Sequence, residues 1–375
     1  MIEPDPLQQI SRNYVRYRQR KLSYFAGCDY FRLASHPRVI AALQAGVKKY
    51  GLNVAASRLT TGNHVLYLEL EAQLADFFAA ESALLVSSGY VSNLVVAQAL
   101  AGHFSHALID AGSHSSLSDA ARFLDCPVLQ FKSRDAEALA GAVRRCGPGS
   151  RLLLLTDGMF SSDGSAAPLA DYLGILPKDA LLLVDDAHGA GVLGRNGQGA
   201  PEYAGVSRRR IIQTVTLSKS FGAYGGAILG TARLRQQILD RSRMFVGSTP
   251  VPLPLANAAL AGVRILKADK SLRPRLFRNA AYVKTALSEA GLPLAETPGP
   301  IVPLYPRRPR EAVRLNRALL AAGIYPPFIK YSGGPPFGYF RLAISSEHTR
   351  PQLDALLSVL CRYVKAGLLL IKAAD

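Results

Sequence analysis

The stretch Thr216-Leu217-Ser218-Lys219-Ser220-Phe221-Gly222-Ala223-Tyr224-Gly225 follows an apolar run, Ile211-Ile212-Gln213-Thr214-Val215, and leads into a glycine-rich turn. The run reads as a buried strand and the Ser/Gly segment as the loop that leaves it. A lysine held at such a junction can be desolvated, which lowers its pKa and frees its amine to attack a carbonyl. Hydroxyls at Thr216, Ser218 and Ser220 flank it, a combination suited to a lysine working beside a phosphate-bearing cofactor. Alone, a lysine in such a loop is more often a solvated turn residue, so the remaining parts of a site have to come from elsewhere in the chain.

On either side of this stretch, short apolar runs alternate with helical stretches. Ala83-Leu84-Leu85-Val86, Ala107-Leu108-Ile109, Leu152-Leu153-Leu154-Leu155, Leu181-Leu182-Leu183-Val184 and Ala227-Ile228-Leu229 join 211–215 as expected strands. Continuous apolar strands separated by helices indicate a mainly parallel sheet covered on both faces, and such sheets bind ligands at the carboxyl ends of their strands. Before the sheet, helices are expected from Pro37 to about Gly51 and around Leu66 to Phe78. After it, 252–290 reads as two helices, and a smaller lobe follows with strands at Ile301 and Phe340 and a closing helix from Thr349. The expected organisation is an N-terminal arm with a short helix (1–40), a large domain (41–255) and a small C-terminal domain (256–375).

The chain has 375 residues, 49% of them hydrophobic, enough for a large core. No apolar run reaches the roughly 18 residues that span a bilayer, and Met1-Ile2-Glu3-Pro4-Asp5 has neither a basic start nor an apolar core, so a cytoplasmic protein without a membrane span is expected. Cys28, Cys126, Cys146 and Cys361 are far apart with no CxxC pair, and read as reduced thiols. The net charge of +17 favours a polyanionic partner, including nucleic acid, but the sequence carries no helix-turn-helix, RNP or zinc signature, and no nucleic-acid partner is expected. The basic runs at 16–21 and Arg208-Arg209-Arg210 read as solvated surface.

The residues after each expected strand carry chemistry. Ser87-Ser88-Gly89-Tyr90-Val91-Ser92-Asn93 opens a helix whose N-terminal amides can cradle a phosphate, or is an ordinary cap. His114, at a strand-to-helix junction, can stack on a planar ring or cap the helix. Asp185 ends a buried strand, where a carboxylate needs a cationic partner to stay ionised, and a protonated pyridine nitrogen is such a partner. His188, three residues on, can reach a ring hydroxyl; a metal reading of this pair lacks a third ligand. With Lys219, these parts point to pyridoxal 5'-phosphate.

Gly89-Tyr90 with Asn93, His114-Ser115-Ser116-Leu117, Asp157-Gly158-Met159-Phe160-Ser161-Ser162-Asp163-Gly164 before Pro168-Leu169, Asp185-Asp186-Ala187-His188-Gly189 and Thr216-Leu217-Ser218-Lys219 resemble the α-oxoamine synthases, from about Tyr24 to the C-terminal helix. The resemblance implies an α/β, fold-type I (aspartate aminotransferase-like) pyridoxal-phosphate transferase with a mainly parallel central sheet and a smaller C-terminal α+β domain. It makes Lys219 the Schiff-base lysine, Asp185 the pyridinium partner, His188 a contact to the ring hydroxyl and His114 the stacking residue. Ser88, Gly89, Tyr90, Ser161 and Thr216 are implied cofactor contacts. Ser248 and Thr249 are implied to reach the phosphate from a second subunit, hence a homodimer with shared active sites. Arg341, Lys330 and Asn63, the last in the matching loop Ser57-Arg58-Leu59-Thr60-Thr61-Gly62-Asn63, are the implied substrate contacts.

The implied reaction is decarboxylative condensation of an amino acid with an acyl-CoA or acyl carrier protein thioester. The surroundings of Gly62-Asn63-His64 and of 184–191 favour the branch using alanine and a pimeloyl thioester, with glycine and acetyl-CoA as the alternative. The chain departs from the family at Cys28-Asp29-Tyr30-Phe31-Arg32, where relatives read Asn-Asp-Tyr-Leu-Gly, and at Lys330, where they carry an arginine before Pro-Pro. Lysine lacks the bidentate fork for a carboxylate. These two departures leave open a catalytically degenerate fold that only binds, against which the intact Lys219, Asp185, His188 and His114 argue.

Overall fold

The computed structural model describes residues 5–330 and 335–370. Residues 1–4, 331–334 and 371–375 lie outside the described residues. The chain divides into two units, one of residues 1–35, 162–164 and 270–375, the other of 36–161 and 165–269.

The N-terminal strands β1 (Gln8–Ser11), β2 (Tyr14–Tyr17) and β3 (Arg20–Tyr24) form an antiparallel meander. The expected helix is reduced to a single 3₁₀ turn, Leu33–Ser35. Tyr14, Val15 and Tyr17 are strand formers, but the hairpin turns on Arg18 and Gln19, with φ of 46° and 64°. A turn with both central residues at positive φ normally announces itself as Asn-Gly or Asp-Gly, and that signal is absent here.

In the larger unit, α1 (Pro37–Tyr50) starts where the His36 Nδ1 accepts from the Arg38 amide at 3.2 Å, with Pro37 at the position that tolerates a missing N–H. It stops at Gly51, whose φ is 68°. Helix α2 (Val65–Phe77) is capped in the same way by His64. A seven-stranded sheet follows, built from β4 (Ser82–Val86), β5 (His106–Asp110), β6 (Val128–Phe131), β7 (Leu152–Asp157), β8 (Leu181–Asp185), β9 (Ile211–Thr216) and β10 (Gly226–Gly230), in the order β4-β10-β9-β8-β7-β5-β6. Only β10 runs against its neighbours; the rest share one direction. Helices α3 (Gly89–Ala99), α4 (Ser115–Ala121), α5 (Ala136–Cys146) and α6 (Leu169–Ile175) fill the crossovers.

Every residue of β7 and β9 is buried, as continuous apolar runs require when helices cover both faces. Leu84, Val96, Leu117, Leu153, Leu183 and Ile228 belong to one core layer of this unit. Strand β6 is the one the apolar runs did not indicate: it is a short edge strand with an exposed Val128, so it needs little apolar sequence.

In the smaller unit, β11 (Ile301–Pro306), β12 (Ile324–Tyr325), β13 (Phe328–Ile329), β14 (Tyr339–Ala343) and β15 (Leu369–Leu370) complete two small sheets, β1-β2-β3-β12 and β13-β14-β11-β15. Helix 350–365 opens with a capping box between Thr349 and Gln352. Phe25, Leu304, Leu342, Leu356 and Leu360 meet in this unit's core. All four cysteines are free thiols.

The departure at Arg32 has a backbone consequence. Its φ is 53°, in the region where glycine is favoured, so an arginine there carries strain of roughly 1 kcal/mol. Its guanidinium is buried, donates to the Tyr24 carbonyl at 2.8 Å and lies over the Tyr24 ring at 5.2 Å, contacts that offset the strain.

Candidate active site

At the carboxyl ends of β4, β5, β7, β8 and β9 lies a cavity of about 250 Å³. Ser88, Gly89, Tyr90, His114, Asp185, His188, Thr216 and Lys219, singled out in the sequence, all line it. The structure adds Ser116, Asp157, Ala187 and Ser218 to the lining.

Asp185 closes β8 and is 8% exposed. Its Oδ2 accepts from the Asn93 amide nitrogen at 2.6 Å and the Ser116 hydroxyl at 3.3 Å, and its Oδ1 from the Ala187 N–H at 3.1 Å. Asn93 is itself fixed: the Thr214 hydroxyl on β9 donates to its Oδ1 at 2.7 Å, and its amide nitrogen also reaches the Ser116 Oγ at 3.0 Å. The carboxylate is therefore aimed by a chain of buried polar groups drawn from α3, α4 and β9. All three of its hydrogen-bond donors are neutral groups. A buried carboxylate whose hydrogen-bond donors are all neutral fits a ligand that brings a positive charge to it.

The neighbouring strand ends in Asp157, in register with Asp185 and 3% exposed. Its Oδ1 accepts from the His114 amide at 3.0 Å. Burial, and then the charge of Asp185, push its carboxyl well above the usual range, against a smaller pull from Lys219. Two adjacent carboxyls thus stand in opposite settings, one surrounded by donors and one favouring its protonated form. His114 caps α4, its Nδ1 accepting from the Ser116 amide at 3.3 Å, and its ring meets Tyr90 edge-on at 6.0 Å. Capping and lining the cavity are both true of it.

Helix α3 points its first turn at the cavity. Ser88 is its cap, with Oγ accepting from the Val91 amide at 3.3 Å. Gly89 is required by close approach: a Cβ there would fall 2.7 Å from the Thr216 Cβ and 3.0 Å from its hydroxyl. Thr216 in turn hydrogen-bonds Ser218 at 2.7 Å and the Gly225 carbonyl at 3.2 Å, bracing the loop that carries Lys219. Amides at a helix start, small residues and paired hydroxyls form a phosphate cradle. Behind β8, Asp186 is fully buried and accepts from the Gln213 amide nitrogen at 2.6 Å and the Ala200 N–H at 2.8 Å; burial pushes its carboxyl up to about 7. A Cβ at Gly199, whose φ is 90°, would sit 1.8 Å from its Oδ2, so the loop returns against this carboxylate only as glycine.

The other sequence-predicted residues stand elsewhere. Ser161 lies in the turn after β7, outside the cavity lining. Ser248 donates to the Phe245 carbonyl at 3.3 Å, and Thr249 next to it is exposed. The Asn63 Oδ1 accepts from the Arg58 guanidinium at 2.8 and 3.1 Å, and Arg58 also pairs with the buried Glu71. Arg341 and Lys330 belong to the smaller unit. Arg341 donates to the Cys28 Sγ at 3.4 Å and keeps a buried Nε with no partner among the described residues; Lys330 is exposed at the end of β13.

An amine-bearing lysine, a helix-start cradle and a buried carboxylate held by neutral donors, gathered at the strand ends of an α/β sheet, define a pyridoxal-phosphate enzyme of fold type I. Comparison with known proteins makes this specific. Residues 26–360 match the aminotransferase class I and II family. The 8-amino-7-oxononanoate synthase of Thioalkalivibrio sulfidiphilus is 37% identical over 351 residues, 93% of this chain and 90% of that protein. A serine palmitoyltransferase variant from S. paucimobilis with a bound PLP–myriocin aldimine superposes with a TM-score of 0.89 at 26% identity, covering 96% of this chain and 91% of that one. An 8-amino-7-oxononanoate synthase from Francisella tularensis superposes at 0.79 and 25% identity, covering 92% and 98%. The chain belongs to the aminotransferase class I and II family, among its α-oxoamine synthases. It is a pyridoxal-phosphate-dependent acyltransferase.

Proposed function

We propose that Lys219 carries the cofactor and moves the proton at the amino acid's α carbon, and that the substrates are L-alanine and a pimeloyl thioester, the 8-amino-7-oxononanoate synthase reaction of biotin biosynthesis. The observation that carries the reading is Asp185: a buried carboxylate, held by the neutral donors of Asn93, Ser116 and the Ala187 amide, in the cavity that Lys219 lines. Bound there, pyridoxal phosphate supplies an electron sink for a carbanion at the α carbon. Asp185 keeps the ring nitrogen protonated, which that sink requires. Ser88, Gly89, Tyr90 and Thr216 hold the phosphate, with Ser161 a further contact, and His188 and His114 orient the ring. Lys219 Nζ takes the α-proton and later returns a proton to the product carbon.

Arg341, with its unpartnered buried Nε, and Lys330 are proposed to take the substrate carboxylate, and Asn63 to order the loop beside it. The active form is proposed to be a cytoplasmic homodimer in which Ser248 and Thr249 reach the partner's phosphate. No helix among the described residues is long and apolar enough to cross a membrane.

Purified protein given alanine or glycine with a panel of acyl thioesters tests the substrate choice by thiol release. Alanine with pimeloyl-CoA or pimeloyl carrier protein is expected to react fastest. Release only with glycine and acetyl-CoA would replace this reading with that of a glycine C-acetyltransferase.

A further inference from the structure

At the opposite end of the sheet from Lys219 is a second cavity, of about 460 Å³, under the amino ends of β8 and β9. Four arginines line it, Arg151, Arg209, Arg210 and Arg233, with His103 and a single carboxylate, Asp179. Two of the four come from the Arg208-Arg209-Arg210 run, which the sequence reads as solvated surface. Among the described residues no carboxylate forms an ion pair with any of these arginines or with the adjacent Arg241. Surfaces ordinarily intersperse the two signs, because like charges this close repel.

The cluster is also built to hold its shape. Arg210 is tied down by its Nε to the Ala180 carbonyl at 3.0 Å and by Nη1 to the Leu173 carbonyl at 3.4 Å, while its Nη2 is buried with no partner among the described residues. Arg241 donates to the Ala101 carbonyl at 2.9 Å and to His103 Nε2. Arginine can only donate, so His103 Nε2 accepts and its Nδ1 carries the proton. Burial, followed by the charges of Arg241, Arg151 and Arg233, holds this imidazole below its ordinary value, so it is neutral at pH 7 and adds no further repulsion. Leu100, Phe104 and Leu234 give the cavity an apolar floor.

We propose that this cavity is a binding site for a small organic diphosphate, separate from the cofactor site. Planar guanidinium forks match phosphate oxygens two at a time, and two linked phosphates bridge several arginines where a single carboxylate cannot. The volume lies within the roughly 300–1,000 Å³ of small-molecule sites. The apolar floor accepts the organic body of the ester. This site goes beyond the condensation reaction and does not depend on which thioester the enzyme uses.

The test is calorimetric titration of the cofactor-loaded enzyme with ADP as probe, adenosine as the uncharged control, and the double variant Arg151→Ala/Arg233→Ala. Both arginines are exposed, lie outside the catalytic cavity and make no side-chain hydrogen bond among the described residues, so the variant is expected to fold and to keep its visible cofactor absorption. ADP is expected to bind the parent enzyme, adenosine not to, and the double variant to bind ADP at least tenfold more weakly. A parallel titration of Lys219→Ala is expected to match the parent, which separates this site from the cofactor's phosphate cradle. Absence of ADP binding to the parent at physiological salt, equal affinity in the double variant, or loss of binding in Lys219→Ala would each overturn the proposal.

Discussion

Asp157 and Asp185 end adjacent strands in register, and their surroundings separate them. Asp185 is held by three donors, whereas Asp157 has a single amide donor and a carboxyl pushed well up by burial and by its neighbour. A group that favours its protonated form loses little when it becomes an amide. Asp157→Asn is therefore expected to keep stability within about 1 kcal/mol of the parent and to retain cofactor, since the amide oxygen still accepts from His114. Asp185→Asn removes the charge proposed to stabilise a pyridinium and turns an amide NH2 towards one of its donors, so kcat is expected to fall by at least a hundredfold and stability by roughly 1–3 kcal/mol. Steady-state kinetics beside chemical denaturation of both variants checks the contrast, and equal losses from the two would contradict the division of roles. Of this pair only Asp185 was legible as a functional residue, because it precedes a histidine in a recognisable run. Asp157 ends an equally apolar strand, but nothing in one sequence says that the two strands are neighbours. Asn93 was missed as the residue that aims Asp185 for the same reason: its partners lie 23, 92 and 121 positions away.

At the scale of elements, the start of α3 and the loop after β9 are interlocked through Gly89 and Thr216. Gly89→Ala would press a methyl against the Thr216 side chain at 2.7 Å, forcing the cradle apart. The expected result is a loss of roughly 1–3 kcal/mol of stability and markedly weaker cofactor binding, read by thermal denaturation and by titration of the apoenzyme. Unchanged cofactor affinity would remove α3 from the phosphate site. The strands of the central sheet were readable because burial on both faces demands unbroken apolar runs, as in Leu152 to Leu155. Strand β6 and the N-terminal meander were not, because an edge strand and a hairpin turning on Arg18 and Gln19 carry none of the usual signals.

Across the whole molecule, buried ionisable groups make stability depend on pH in ways that can be assigned. In the smaller unit His348 is buried, stacks on Phe25 at 4.1 Å, accepts from the Ser345 amide at Nδ1 and so donates from Nε2 to the Tyr24 carbonyl at 3.0 Å. Burial, then the charge of Arg32, lowers its pKa to about 3. Above about 6.5 neither the folded nor the unfolded chain protonates this ring, and its contribution is complete. Between 6.5 and 3 only the unfolded chain takes up the proton, so stability is lost as pH falls through that window, on the order of 4 kcal/mol by its end. Ring-proton NMR is expected to find one histidine with no titration midpoint above pH 4. A midpoint near 6.5 at His348 would contradict the burial argument. Asp186 in the larger unit works the other way: its raised carboxyl favours folding in acid and gives up that contribution as pH rises towards 7.

The proposed catalysis rests on one amine. Lys219 lines a cavity with a phosphate cradle at one side and a buried carboxylate at another, and the whole of the proposed reaction passes through it. The most direct test is the absorption spectrum of the purified protein with added pyridoxal phosphate, beside that of Lys219→Ala. If Lys219 carries the cofactor, the parent shows a visible band that shifts on adding alanine, and the variant loses the band together with at least a thousandfold of the activity. A parent protein without a visible band, or a variant that keeps both band and activity, would contradict it.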